Sequence, residues 1–178
     1  MIRHPTSGFL VLWLSIGAAG CGSQDSSHPD AAINGCPTHD QPTFELGTGA
    51  EHYGPLAPEQ TLKMAVGPQG GCHFWLAVRT DGFAERLFRI EYELFFADTG
   101  TTTQDTSSQN VRLVPLDDGT GRCEYAGYTA FIVRPISLVG KRIRIDVDVQ
   151  DSLGARASAS TTVLAEWPDV AADRCGKM

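Results

Sequence analysis

No stretch of this sequence reaches the roughly 20 consecutive apolar residues that a membrane-crossing helix needs; the apolar run from Gly8 to Ala19 is too short to span. Basic residues are also few. The 14 Lys and Arg stand against 21 Asp and Glu, a formal charge of −7, and they are scattered among carboxylates. A phosphate-binding surface needs clustered cations to displace counterions, so nucleic acid is excluded as a partner. No Cys-x-x-Cys pair occurs among the five cysteines, which removes zinc-knuckle and thioredoxin-type chemistry. No long segment has helical periodicity, no internal repeat is visible, and no Ser, His and acid set or nucleophilic Cys stands out.

What is present begins at the N-terminus. Arg3 and His4 precede the short apolar run, which ends in Ala18, Ala19 and Gly20 before Cys21. A basic start, a short apolar core and small residues form a signal peptide, and the Cys21 junction resembles the bacterial lipobox, with Ala18 where that motif usually has Leu. The resemblance implies cleavage after residue 20, acylation of Cys21 and a stable lipid anchor, because single acyl chains hold only marginally and several hold firmly. Gly22 stands where an Asp retains enteric lipoproteins in the inner membrane, which points to the outer membrane. Residues 21–35 are polar and read as a lipidated cysteine on a flexible tether. Residues 36–178 are then of single-domain size.

If Cys21 carries lipid, Cys36, Cys72, Cys123 and Cys175 remain. Four cysteines in an oxidising compartment read most simply as two disulfides, with three possible connectivities. The favoured one is Cys36 with Cys175, clasping the ends of the domain, and Cys72 with Cys123.

Within the domain the pattern is period two, broken by Gly, Pro, Asp and Ser clusters. Phe88, Ile90, Tyr92, Leu94 and Phe96 share one face while Arg89, Glu91 and Glu93 share the other. Ile143, Ile145, Val147 and Val149 alternate with Arg142, Arg144, Asp146 and Asp148, and a turn at Asp151 to Gly154 leads into a return strand over Ala155 to Ala165. Weaker strands are expected at Phe44–Leu46, Leu62–Val66, Cys72–Val78, Val111–Pro115 and Tyr125–Val133. Seven to eight short strands without intervening helices predict an all-β, antiparallel, immunoglobulin-like β-sandwich.

The terminal hairpin resembles the last two strands of the immunoglobulin-like and polycystic-kidney-disease-type modules of bacterial envelope proteins, over about 25 residues. The string Gly67-Pro68-Gln69-Gly70-Gly71-Cys72-His73-Phe74-Trp75 resembles a motif of uncharacterised myxobacterial-type lipoproteins, a family that implies no activity. Read from its residues, it is a hairpin: Pro68 presets φ, and Gly70 and Gly71 allow left-handed geometry before the next strand. His73 and Trp75 then share a face, with Trp75 expected in the core or at an inter-sheet edge.

Three clusters of residues bear on chemistry. His73 and His52 are 21 positions apart with no ligand spacing joining them, so a satisfied structural histidine is favoured over a metal site, and no metal ligand or cofactor is assigned. Asp146, Asp148 and Asp151 lie close in sequence, with Asp117 and Asp118 a second acidic pair, but the calcium-loop Gly and distal Glu are missing. Asp98-Thr99-Gly100, after Phe95 and Phe96, resembles the aspartic-protease signature, and Leu138 to Lys141 loosely imitates its downstream element. One such tripeptide requires a homodimer to supply the second Asp.

The expectation is a noncatalytic, lipid-anchored envelope module of the outer membrane that binds a protein or polysaccharide. The alternatives are a homodimeric aspartic-protease-like hydrolase using Asp98 and a purely structural envelope lipoprotein. The segment from Asp98 to Asn110, read as a long polar loop, and the turn from Asp117 to Arg122 are the expected contact regions.

Overall fold

The computed structural model describes residues 36, 41–68, 70–83, 86–169 and 175. The expected signal peptide, Cys21 and the tether up to residue 35 lie outside them.

The described chain forms an all-β sandwich. One sheet contains β1 (Thr43–Thr48), β2 (Gly54–Pro55), β4 (Ala65–Val66), β5 (Cys72–Asp81), β8 (Val114–Pro115) and β9 (Cys123–Ile132), in the order β2-β1-β5-β9-β8 with β4 also on β5. The other contains β3 (Gln60–Lys63), β6 (Leu87–Phe96), β7 (Thr102–Arg112), β10 (Arg142–Asp151) and β11 (Arg156–Glu166), in the order β3-β11-β10-β6-β7. All pairings are antiparallel except β3 on β11, which is parallel. A single helical turn, α1 (Pro135–Leu138), joins β9 to β10. No helix among the described residues is long and apolar enough to cross a membrane.

Alternation decides which side of each strand is dry. Phe88, Ile90, Tyr92 and Leu94 of β6 face Phe74, Leu76 and Val78 of β5 and Tyr128 and Ala130 of β9 across a shared core, with Ile143, Ile145, Val147, Val149 and Val163 completing it. At about 1.5–3 kcal/mol per buried large apolar side chain, this layer is the main stabilising term. The Asp151–Gly154 turn forms as expected. Gly154 has φ of 95°, and the Asp151 carboxylate accepts the N–H groups of Leu153 and Ala155 at 3.0 and 2.9 Å.

Two expectations are corrected. The segment expected as a loop up to Asn110 is mostly strand β7, paired with β6 from Leu87–Arg112 to Phe95–Thr102. The disulfides join Cys36 to Cys123 and Cys72 to Cys175, with Cα separations of 5.8 and 5.3 Å, rather than Cys36 to Cys175 and Cys72 to Cys123. Register explains the second correction. Cys72 pairs with Ile132 and Cys123 with Thr80, at opposite ends of the β5–β9 ladder. At about 3.4 Å per residue the two are far beyond the roughly 7 Å Cα limit of a disulfide.

Candidate functional site

The most built polar surface is the outer face of the five-stranded sheet. Register sets Thr106, Glu93, Asp146 and Ser160 side by side across β7, β6, β10 and β11, and sets Ser108, Glu91, Asp148 and Ser158 beside them two residues along. Each row therefore has two carboxylates flanked by hydroxyls. Glu91, Glu93, Asp146, Asp148, Thr106 and Ser108 line a shallow depression of about 510 Å³. Like charges directly opposite on neighbouring strands are destabilising, so folding alone does not favour this arrangement.

Cations close the rows at either end. Arg144 donates to Asp146 at 3.1 Å and stacks over Phe95, 4.3 Å from its ring centre. Arg89 pairs with Glu91, and Ser160 donates to Asp146 at 2.6 Å. Glu93 and Asp148 have no such partner among the described residues. Carboxylates and hydroxyls arranged this way accept and donate hydrogen bonds to a polyhydroxylated or cationic ligand in shallow, solvated contact.

The other sequence-predicted residues do not converge on this face. Asp151 falls on the opposite side of β10 from Asp146 and Asp148 and is buried in its own turn, so the three do not form a common set. Asp117 and Asp118 lie in the turn before β9, where Asp118 accepts the Thr120 N–H at 2.9 Å; the Thr120 hydroxyl and N–H hold its carboxyl below the usual range. His52 is exposed and His73 is buried, and among the described residues no group of three or more His, Cys, Asp or Glu is placed to hold a metal.

Asp98, Thr99 and Gly100 make the β6–β7 turn, in which the Phe96 carbonyl accepts the Gly100 N–H at 2.8 Å. The Asp98 side chain is 64% exposed and paired with Arg142 at 3.0 Å. A proton-sharing dyad requires two carboxylates in contact, and here the charge of Asp98 is met by a guanidinium that Glu59 also holds.

The Gly67–Gly71 string forms the expected hairpin, with Gly70 at φ of 86° and the Gly67 N–H on the Gly71 carbonyl at 2.7 Å. His73 and Trp75 share the outer face of β5, and Trp75 is half-buried there rather than in the core. His73 is 2% exposed, lies edge-on to Trp75 at 4.3 Å, and neither ring nitrogen has a hydrogen-bond partner among the described residues. Burial lowers its pKa.

Sequence reading grouped Asp146 with Asp148 but missed Glu91 and Glu93 as their neighbours. The signal was available as two strands with acidic residues at alternate positions; the register joining them was not. No known protein family and no curated protein matches this chain.

Proposed function

We propose that this protein is a noncatalytic, lipid-anchored module of the cell envelope that binds a protein or polysaccharide through the outer face of its five-stranded sheet. The export reading is supported by the signal-peptide pattern before Cys21 and by four cysteines placed in two disulfides, an arrangement typical of oxidising compartments. The binding reading is carried by the double row of register-opposed carboxylates, Glu93 with Asp146 and Glu91 with Asp148, in a shallow polar depression. Sandwich folds host many roles, so the site and not the fold supports this assignment.

The test is crosslinking on intact cells with a membrane-impermeant amine reagent, which has exposed Lys63 and Lys141 to react with. The expected result is a discrete crosslinked species that disappears when Glu91 and Glu93 become Gln and Asp146 and Asp148 become Asn. The absence of any discrete crosslinked species favours the purely structural reading, and a species unchanged by those substitutions removes this face as the binding surface. Cys21→Ser is expected to move the protein from the membrane fraction to the soluble one; retention in the membrane defeats the anchor assignment.

A further inference from the structure

Natural sheets guard their edges, because a row of unpaired N–H and C=O groups templates pairing with another chain. Most edges of this sandwich carry such guards. β2 and β8 are two residues long and end in Pro55 and Pro115; β4 is two residues long and runs into Pro68 across Gly67; β3 is four residues long, follows Pro58 and ends in Lys63. The part of β9 beyond β8 is interrupted by a register shift opposite Leu76 and Val78 and by Gly127 at φ of 81°.

With β1 open only from Thr43 to Leu46 and β9 only from Tyr128 to Ile132, β7 offers the longest uninterrupted open edge among the described strands. It closes its sheet with 11 residues, and no described strand pairs with its far side. From Thr106 to Arg112 its register with β6 is continuous. That stretch holds no Pro and no Lys, and from Thr106 to Asn110 no charge. Thr106, Ser108, Gln109 and Asn110 are exposed, while the Tyr128 hydroxyl stands 3.5 Å from the Ser107 carbonyl. Asp105, the one acid of the strand, is turned inward, where it accepts the Val133 N–H at 2.7 Å.

We infer that the β7 edge, from Thr106 to Arg112, receives an extended cationic segment of a partner protein as an added antiparallel or parallel strand. Charge selects this occupant. An added strand lies about 4.8 Å outside β7 and two such spacings from β6. On the outer face only the short side chains of Thr106 and Ser108 separate it from Glu93 and Glu91, so a Lys or Arg stem can cross them to reach either carboxylate. Main-chain bonding then supplies affinity and the alternate cationic side chains supply selectivity, as in other strand additions. A second copy of this chain, with a formal charge of −7, would bring acidic faces together and is disfavoured. The inference rests on the proposed binding face and narrows its partner from protein or polysaccharide to an extended basic protein segment.

The experiment is hydrogen exchange of the full-length protein with and without an end-blocked nonapeptide of alternating Thr and Lys, with a Thr and Glu peptide as control. The Lys peptide alone is expected to slow exchange from Thr106 to Arg112. Glu91→Gln with Glu93→Gln should weaken its binding at least tenfold. Ser108→Lys, an exposed change that sets an ammonium over Glu91 on the edge, should abolish it. Protection confined to β6 and β10, lost on neutralising their carboxylates, overturns the edge and leaves the face. Equal binding by the Ser108→Lys variant also overturns the edge. Slow exchange in β7 without peptide, together with a dimer in sedimentation, assigns the edge to a second copy and overturns the inference. Binding of neither the peptide nor a neutral oligosaccharide removes both the edge and the face.

Discussion

Tyr92 and Tyr128 meet edge to face across the sandwich, ring centres 5.7 Å apart, and each hydroxyl donates to the other's strand. Tyr92 of β6 bonds the Phe131 carbonyl of β9 at 3.1 Å, and Tyr128 of β9 bonds the Ile90 carbonyl of β6 at 3.2 Å. Together with Asp105 on Val133, the pair ties the two sheets on the side where β7 and β9 end them. Tyr92→Phe and Tyr128→Phe should each cost about 0.5–1.5 kcal/mol, since each removes one inter-sheet hydrogen bond. Because the rings touch, a double-mutant cycle in urea should show coupling of at least about 0.5 kcal/mol; strict additivity would mean the bonds act separately.

The same pair sets an alkaline limit. Burial raises both hydroxyls above their ordinary 10, Tyr128 to about 12. A group whose folded pKa is raised contributes its full stabilisation below the unfolded value and loses it as pH rises. Stability should therefore fall from about pH 10 toward 12, and the Tyr128→Phe variant should show a shallower fall in denaturant midpoint over that range.

His73 sets the opposite limit. Its imidazole is buried with no hydrogen-bond partner among the described residues, and burial lowers its pKa from the ordinary 6.5. The folded state therefore holds fewer protons than the unfolded chain near that pH, so stability is full above about 6.5 and falls as the solution is acidified. His73→Leu should flatten the change in melting temperature between pH 7 and 5. An unchanged slope would move the acid sensitivity to other groups.

The disulfide pairing is directly measurable. Non-reducing digestion and mass spectrometry should recover peptides joining Cys36 to Cys123 and Cys72 to Cys175. The second bridge spans 103 residues, and replacing both of its cysteines by Ala should cost up to about 4–5 kcal/mol in the chain-entropy account.

Gly127 tests the sheet's other face. A side chain there would meet the Ala50 carbonyl at 2.6 Å, and its φ is 81°. Gly127→Ala should destabilise by about 1–3 kcal/mol, read as a lower urea midpoint, whereas Gly119→Ala, with nothing within 4 Å, should carry only the backbone cost.

Strands β6 and β10 were legible because apolar and charged residues alternate, and β11 because small apolar residues alternate with Ser and Thr after a turn. β7 was not. Its positions between the inward Val111 and the β6 turn include Asp105 and Ser107, which bring no apolar bulk, so the composition reads as loop. The single strand expected at Leu62–Val66 is divided at Met64 into β3, which pairs with β11 far along the chain, and β4, which pairs locally with β5, while the two-residue β2 is too short to show a period. Of the candidate site, the alternation placed Asp146 with Asp148 and Glu91 with Glu93, but it carried no information that the two pairs are neighbours.

Local spacing by itself determined the two-faced strands, the Gly70 and Gly154 turns, and the surplus of acid, because side-chain direction in a strand and φ at a turn depend on adjacent residues. Tertiary structure alone decided the cysteine partners, the exposure of the β7 edge and the meeting of four carboxylates. Each of these depends on register between strands far apart in the chain, and register is set by the packing of the whole core.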